Sequence, residues 1–395
     1  MRRKANRSLN IICALKSGFI KLLNSLLYFF PIKKNKIIFI SYYGSLYGCN
    51  PKYISEYLNI NEFKGRFDRV WVFNDINKEI PEGCRVISNG SLKYYYELAT
   101  SKVIVSNFRL TSSFLKKKNQ LYVQTWHSSL RLKKIEKDVE DKLPKSYVEN
   151  AKNDSQKIDL LISGCKKSTE IFRRAFWYDG EILEAGTPRN DVFKFGDHNL
   201  VSAVRTKLKI KPTQKIFLYA PTFRNDDDLS VFQLDYDVLL NTLVTKFGGD
   251  WIILERFHPH MIGKVSNRDK HLSVLNVTEY DDIQELLFVA DLLVTDYSAL
   301  MFDYLYSEKP CILYAPDYEN YIENNRKLYF DIKKLPFDIS FNQQELSSRI
   351  LNFDIDSYSK KITDFNKEIG TFESGNASHA VSNYIVDKLD SSNDK

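Results

Sequence analysis

The stretch Asp291-Leu-Leu-Val-Thr-Asp-Tyr-Ser-Ala-Leu-Met-Phe-Asp303 decides the fold. Leu292 to Val294 is a short apolar run bounded by acids, the pattern of a strand buried on both faces of a parallel sheet. The run breaks at Thr295-Asp296-Tyr297-Ser298, and Ala299 to Tyr306 reads as a helix. Asp296 or Ser298 is placed to cap that helix, and its free amides would then face an anion such as a phosphate. An ordinary strand-to-helix loop with a polar cap fits the same letters, so the rest of the chain has to weigh in.

Working outward, the pattern recurs. Ile216–Tyr219, Trp251–Leu254, Val274–Val277 and Cys311–Tyr314 are further short apolar runs. Each runs straight into a polar loop: Ala220-Pro-Thr-Phe-Arg224, Glu255-Arg-Phe-His-Pro259, Thr278-Glu-Tyr-Asp-Asp282 and Ala315-Pro-Asp317. In a parallel sheet all such loops leave at one edge, the edge where ligands bind. An earlier series comprises Ile37–Ser41, Val70–Phe73, Val103–Ser106, Leu121–Thr125, Leu160–Ser163 and Ile182–Ala185. Helical segments such as Tyr53–Leu58 and Leu92–Ala99 separate these runs, and the charged stretch 131–157 also reads as helical. The alternation predicts an α/β protein with two Rossmann-like parallel-sheet domains facing across a cleft. The expected divisions are an arm at 1–35, a first domain at 36–205 and a second at 206–390.

Composition agrees. A chain of 395 residues suits two domains, and 43% hydrophobic with 27% charged residues is a globular balance. The five cysteines, Cys13, Cys49, Cys84, Cys165 and Cys311, form no CxxC pair and suggest reduced cytosolic thiols. No GxGxxG, GxxxxGK[ST] or GxSxG is present, which argues against a dinucleotide oxidoreductase, a nucleoside triphosphatase and a serine hydrolase. The net charge of +7 falls to −2 once the nine Lys and Arg of residues 1–36 are set aside. The basic character therefore belongs to the N-terminal arm, and no nucleic-acid partner is expected.

Within that arm Ile12, Leu15, Phe19, Leu22, Leu23, Leu26 and Phe30 recur at helical spacing, with Asn10, Ser17, Lys21 and Asn24 on the other side. Lys16 and Lys21 interrupt the apolar content, so no uncharged run reaches membrane-spanning length. The preferred reading is a basic amphipathic helix lying on an anionic membrane surface. A helix packed on the body is the alternative.

Of six histidines, His127 follows Leu121–Thr125, and His258 and His260 follow Trp251–Leu254. A histidine just past a strand, in a cleft, suits an acid, a base or a phosphate donor. His198, His271 and His379 have no such setting and read as surface residues. Arg224, set by Pro221, has the fork that grips phosphate oxygens, or is a solvated partner of Asp226, Asp227 and Asp228. Arg189, in Gly186-Thr-Pro-Arg-Asn-Asp191, fits phosphate binding or a pair with Asp191. Asp317 and Tyr321 are placed to hold sugar or ribose hydroxyls. No metal cluster is visible, and no cofactor is expected.

Together these pieces resemble the CDP-glycerol glycerophosphotransferase family of teichoic-acid primases and polymerases. The matching set is Trp126-His127, Gly186 to Asp191, Tyr219 to Arg224, His258-Pro259, Thr295 to Ser298 with Phe302-Asp303, Lys309-Pro310, and Pro316-Asp317 through Tyr321. The resemblance implies a GT-B-like fold. It implies transfer of an alditol phosphate, glycerol phosphate foremost, from a CDP-alditol to a lipid-linked wall or capsule precursor, with CMP released. The first domain would then hold the acceptor and the second the CDP-alditol. His127 would be the base, with His258, Arg224 and Ser298 on the pyrophosphate. The protein would be peripheral, at the cytoplasmic face of the bacterial membrane. Ser128 stands where the family has Gly, the following loop is one residue longer, and Ala299 replaces a second serine. A GT-B glycosyltransferase using a sugar nucleotide is the alternative.

Overall fold

The computed structural model describes residues 18–60, 63–224, 230–258, 261, 271–325 and 327–391. Two parallel sheets organise it. The first contains β1 (Lys33–Ile40), β2 (Asp68–Phe73), β3 (Cys84–Ser88), β4 (Ser101–Ser106), β5 (Leu121–Gln124), β6 (Leu160–Ser163) and β7 (Glu181–Glu184), in the order 3-2-1-4-5-6-7. The second contains β8 (Gln214–Ala220), β9 (Asp250–Glu255), β10 (Val274–Asn276), β11 (Leu292–Thr295), β12 (Cys311–Tyr314) and β13 (Asp338–Ser340), in the order 10-9-8-11-12-13.

Alternation along the strands explains the layering. In β1, Ile37 and Phe39 face one side, where they meet Ile54, Leu58 and Trp71; Ile38 and Ile40 face the other, against Leu98 and Phe172. Both faces are covered, so the strands read as nearly continuous apolar runs. In the second sheet β11 lies between β8 and β12, with Leu293 level with Leu218 and Cys311. Leu292, Leu293 and Val294 are fully buried. The stretch that opened the sequence reading is thus a central strand.

Two domain boundaries need correction. The expected boundary at 205/206 cuts the helix His198–Leu208, but Val204 lies in the core of the second sheet, with Leu200, Val201 and Leu208 packed against it, so the whole helix belongs to the second domain. The helix Ala377–Asp390 was assigned to the second domain, but Val381, Ile385, Val386 and Leu389 lie in the core of the first. Burying each such side chain is worth about 1.5–3 kcal/mol, so this helix is fastened where it lies. The chain therefore crosses between domains twice, near residue 190 and near residues 371–376.

The helix after Ser298 is shorter than expected: Leu300–Tyr304, then a 3-10 turn Leu305–Ser307. The stretch 131–157 contains a 3-10 segment, Glu136–Lys142, and a helix, Lys145–Ser155.

Of the N-terminal arm, residues 1–17, including Ile12 and Leu15, lie outside the described residues. Residues 18–27 are helical. Asn24 and Leu27 face the body, where Asn24 Nδ2 donates to the Ser113 carbonyl at 2.8 Å. Phe19, Leu22 and Leu26 are exposed, and Phe29 just beyond is 85% exposed. Among the described residues no helix is long and apolar enough to cross a membrane.

Candidate functional site

The loops leaving the C-terminal edges of the two sheets meet each other. After β11, the fully buried Asp303 carboxylate accepts from Ser129 N (3.3 Å) and Ser129 Oγ (3.0 Å), in the loop after β5. It also accepts from Asn190 Nδ2 at 3.2 Å and pairs with Arg189, both past β7. Gln284 Nε2 donates to Asn190 Oδ1 at 2.7 Å. Lys52 pairs across the seam with Asp282 at 2.8 Å and also with Glu285.

His127 lies beside this seam, half-buried. Phe108 lies parallel to its ring at 4.9 Å and 5°, and Trp126 also stacks on it at 4.6 Å and 29°. Trp126 adopts a left-handed backbone, φ 51°. Gln124 Oε1 holds its N–H at 3.0 Å, and Asn50 Nδ2 donates to its carbonyl at 3.1 Å. Such strain persists where neighbours over-determine it. His127 Nδ1 is 3.4 Å from the Asn107 carbonyl. A carbonyl only accepts, so this contact assigns the ring proton to Nδ1 and leaves the Nε2 lone pair as the base. Burial first, then the charges of Arg189 and Arg131, pull the imidazole from 6.5 to about 3. His127 is therefore neutral across the physiological range.

Arg131, in the loop that departs from the family pattern, escaped the sequence reading. It is buried, lies 4.2 Å over the Phe172 ring and donates from Nη2 to the Ser128 carbonyl at 3.2 Å. Its Nε and Nη1 have no acceptor. Burial lowers its own pKa to about 10.

The second sheet gathers four of the predicted residues into one block. Arg224 is buried and ion-paired. Nε donates to Asp317 at 2.6 Å, Nη2 to Asp296 at 2.8 Å, and Nη1 to the Thr222 carbonyl at 2.6 Å. Tyr321 stacks on Tyr297 at 3.6 Å and 8°, with the guanidinium 4.9 Å from each ring. The donors of Arg224 are thus engaged by acids distant in sequence, while Asp226 to Asp228 lie outside the described residues. Asp296 does not cap the helix, since its Oδ1 accepts from Thr222 N at 2.8 Å and Tyr297 N at 2.6 Å. Ser298 performs that service weakly, accepting from Leu300 N at 3.3 Å. Asp317 and Tyr321 are likewise engaged within the block.

Arg189 pairs with Asp303, while Asp191 accepts from Ala377 N at 3.0 Å and Ser378 N at 2.6 Å, at the start of the last helix. His258 is exposed past β9, with its ring 5.7 Å from Phe223; His260 and Pro259 lie outside the described residues. His198 and His379 are exposed, and His271 pairs with Asp237 at 3.2 Å. Among the described residues no group of three or more His, Cys, Asp or Glu side chains gathers to hold a metal.

Two parallel sheets joined at their ligand-binding edges, with the last helix returned to the first sheet, define a GT-B-like fold. Solved structures of the wall teichoic acid polymerase TagF share it, at TM-score 0.83, 29% identity, and coverage of 100% of this chain and 98% of that one. The chain belongs to the CDP-Glycerol:Poly(glycerophosphate) glycerophosphotransferase family, whose model matches residues 22–387. It is 33% identical to the teichoic acid poly(glycerol phosphate) polymerase of Staphylococcus epidermidis, over 90% of this chain and 51% of that protein. It is 32% identical to the teichoic acid glycerol-phosphate transferase of Staphylococcus aureus, over 88% and 92%. The chain thus spans about half the length of that polymerase, and 49% of the one from Bacillus subtilis.

Proposed function

We propose that this chain moves glycerol phosphate from CDP-glycerol to a hydroxyl of a lipid-linked teichoic acid or capsule precursor, releasing CMP. The observation that carries the reading is His127, stacked against Phe108 and Trp126 beside the domain seam, with Nδ1 turned to the Asn107 carbonyl and Nε2 left as the base. The acceptor oxygen forms a bond to the glycerol-bearing phosphorus as the bond to CMP breaks, and His127 Nε2 takes the hydroxyl proton. Ser298 and His258, at the edge of the second sheet, are assigned to the pyrophosphate. The Arg224 block acts beneath them as a rigid floor. The donor's negative charge, arriving near the imidazole, raises its affinity for the proton, so the base strengthens when substrate is in place.

Glycerol is favoured over ribitol because the glycerol-phosphate polymerases and transferase reach 32–33% identity, whereas the ribitol-phosphate proteins, like the glycerol-phosphate primases, stand at 24–28%. The exposed Phe19, Leu22, Leu26 and Phe29 support work at the cytoplasmic membrane face, on anionic lipid, where the acceptor is concentrated. The proposal gives metal no part in the reaction. Full turnover in excess EDTA is expected, and loss restored by magnesium would remove that clause. The function itself is tested by acceptor-dependent CMP release from CDP-glycerol, with UDP or GDP release from sugar nucleotides as the competing outcome.

A further inference from the structure

The backbone after β1 is strained at two successive residues. Tyr42 and Tyr43 both adopt left-handed φ, 46° and 54°. With Cys49 and Trp126 they are four of the eight non-glycine residues in that region among those described. Strain of this kind collects at ligand sites. Here it is locked: Asn107 Oδ1 accepts from Tyr42 N at 2.9 Å, Asn89 Nδ2 donates to the Tyr43 carbonyl at 3.0 Å, and Gly44 N donates to the Ser41 carbonyl at 2.8 Å. The same Asn107 holds His127 through its carbonyl. One buried residue therefore fixes both the turn and the base.

The product of that strain is an aromatic wall. Tyr43 packs on Phe108 at 4.5 Å, and Phe108 lies flat on His127 at 4.9 Å. Phe108 and Trp126 both stack on the imidazole, and its Nε2 lone pair lies in the ring plane, so a reacting hydroxyl must come in along the ring edge. Tyr43 continues the wall beyond Phe108 with half of its surface exposed, 50%. Glycine would suit φ 54° better, and a core residue would bury its ring. An exposed ring held at conformational cost beside the base is built to touch a ligand. The groups assigned to the donor come from the second sheet, which leaves the first-sheet wall for the acceptor.

We propose that Tyr43, backed by Phe108, is the stacking surface for a saccharide ring of the acceptor, with the C–H face of the sugar on the aromatic face and its free hydroxyl toward His127 Nε2. Aromatic faces are electron-rich and favour such contacts with positively polarised C–H groups. The inference rests on the glycerophosphotransferase reading above and assigns its acceptor-side specificity.

Tyr43→Gly removes the ring while fitting the backbone, so the variant folds, and Tyr43→Phe keeps the face and loses the hydroxyl. With a saccharide-terminated lipid acceptor analogue, Tyr43→Gly should raise acceptor KM roughly tenfold, about the worth of one aromatic contact, and leave donor KM unchanged. Tyr43→Phe should stay near wild type. A sugar-free oligo(glycerol phosphate) acceptor should show no such rise. Unchanged acceptor KM, a parallel rise in donor KM, or an equal effect on both acceptors would overturn the proposal. Calorimetric binding of the saccharide analogue without donor reads the contact independently of turnover. If wild type binds the sugar and Tyr43→Gly does not, while CDP-glycerol is not turned over, the stacking surface stands and the reaction reading falls.

Discussion

Asp303→Ala tests how the domain seam is held. The carboxylate is fully buried and accepts from Ser129, Asn190 and Arg189. Arg189 is itself 2% exposed; its Nη1 reaches Cys49 Sγ at 3.4 Å and its Nε has no acceptor. Alanine would leave that guanidinium buried without a counter-charge, a loss of about 3–5 kcal/mol for a broken buried pair. The orphaned Ser129 and Asn190 donors add roughly 1 kcal/mol each, softened where water enters the gap. The expected total of about 4–6 kcal/mol is a large part of the ~5–15 kcal/mol that a folded protein holds. Urea unfolding is the assay, with a midpoint lowered by about 2 M at a slope of ~2–3 kcal/mol/M. Arg189→Met with Asp303→Leu removes both charges and should recover most of the loss. A cost under about 1 kcal/mol for Asp303→Ala, or a double variant no better than the single, would refute the assignment of Asp303 as the counter-charge.

Three further outcomes follow from the structure. His127 is neutral when folded down to about pH 3 but protonates near 6.5 when unfolded, so its contribution is intact above 6.5 and is lost as pH falls from 6.5 toward 3; His127→Phe should flatten that part of a stability profile, and an unchanged slope would contradict the burial argument. Glu373 has the opposite sign: burial raises it to about 8, so its contribution is present below 4.5 and lost as pH rises toward 8, and Glu373→Gln should melt higher than wild type at pH 8–9, while equal melting would refute it. Replacing Phe19, Leu22 and Leu26 by serine should release the protein from anionic liposomes without changing turnover of a soluble acceptor analogue, and undiminished liposome binding would exclude that face.

The sequence exposed the central strands and two of the four edge strands. Leu160–Ser163 and Cys311–Tyr314 were legible to the residue and Leu292–Thr295 to within one, because each is an apolar run cut off by polar loop chemistry. Cys84–Ser88 and Asp338–Ser340, also at edges, were missed, since each mixes polar with apolar residues and has no continuous apolar run. The last helix fell within the expected second domain, although its apolar side chains lie in the core of the first. Site positions were legible at the strand exits; their partners were not. Arg224 was read against its neighbouring acids, whereas Asp296 and Asp317 are 72 and 93 positions away. The Tyr42–Tyr43 turn could have been suspected from two aromatics immediately before Gly44 at the end of β1. Its left-handed backbone, and the stack through Phe108 to His127, exist only in the folded chain.

The most direct test of the central claim is CMP release by purified protein from CDP-glycerol, with and without a lipid-linked saccharide acceptor, in wild type and His127→Ala. Release should need the acceptor and fall by at least ~10²-fold in the variant, as loss of a general base requires. Acceptor-dependent release that survives His127→Ala, or no CMP release while a sugar nucleotide is consumed, would contradict it.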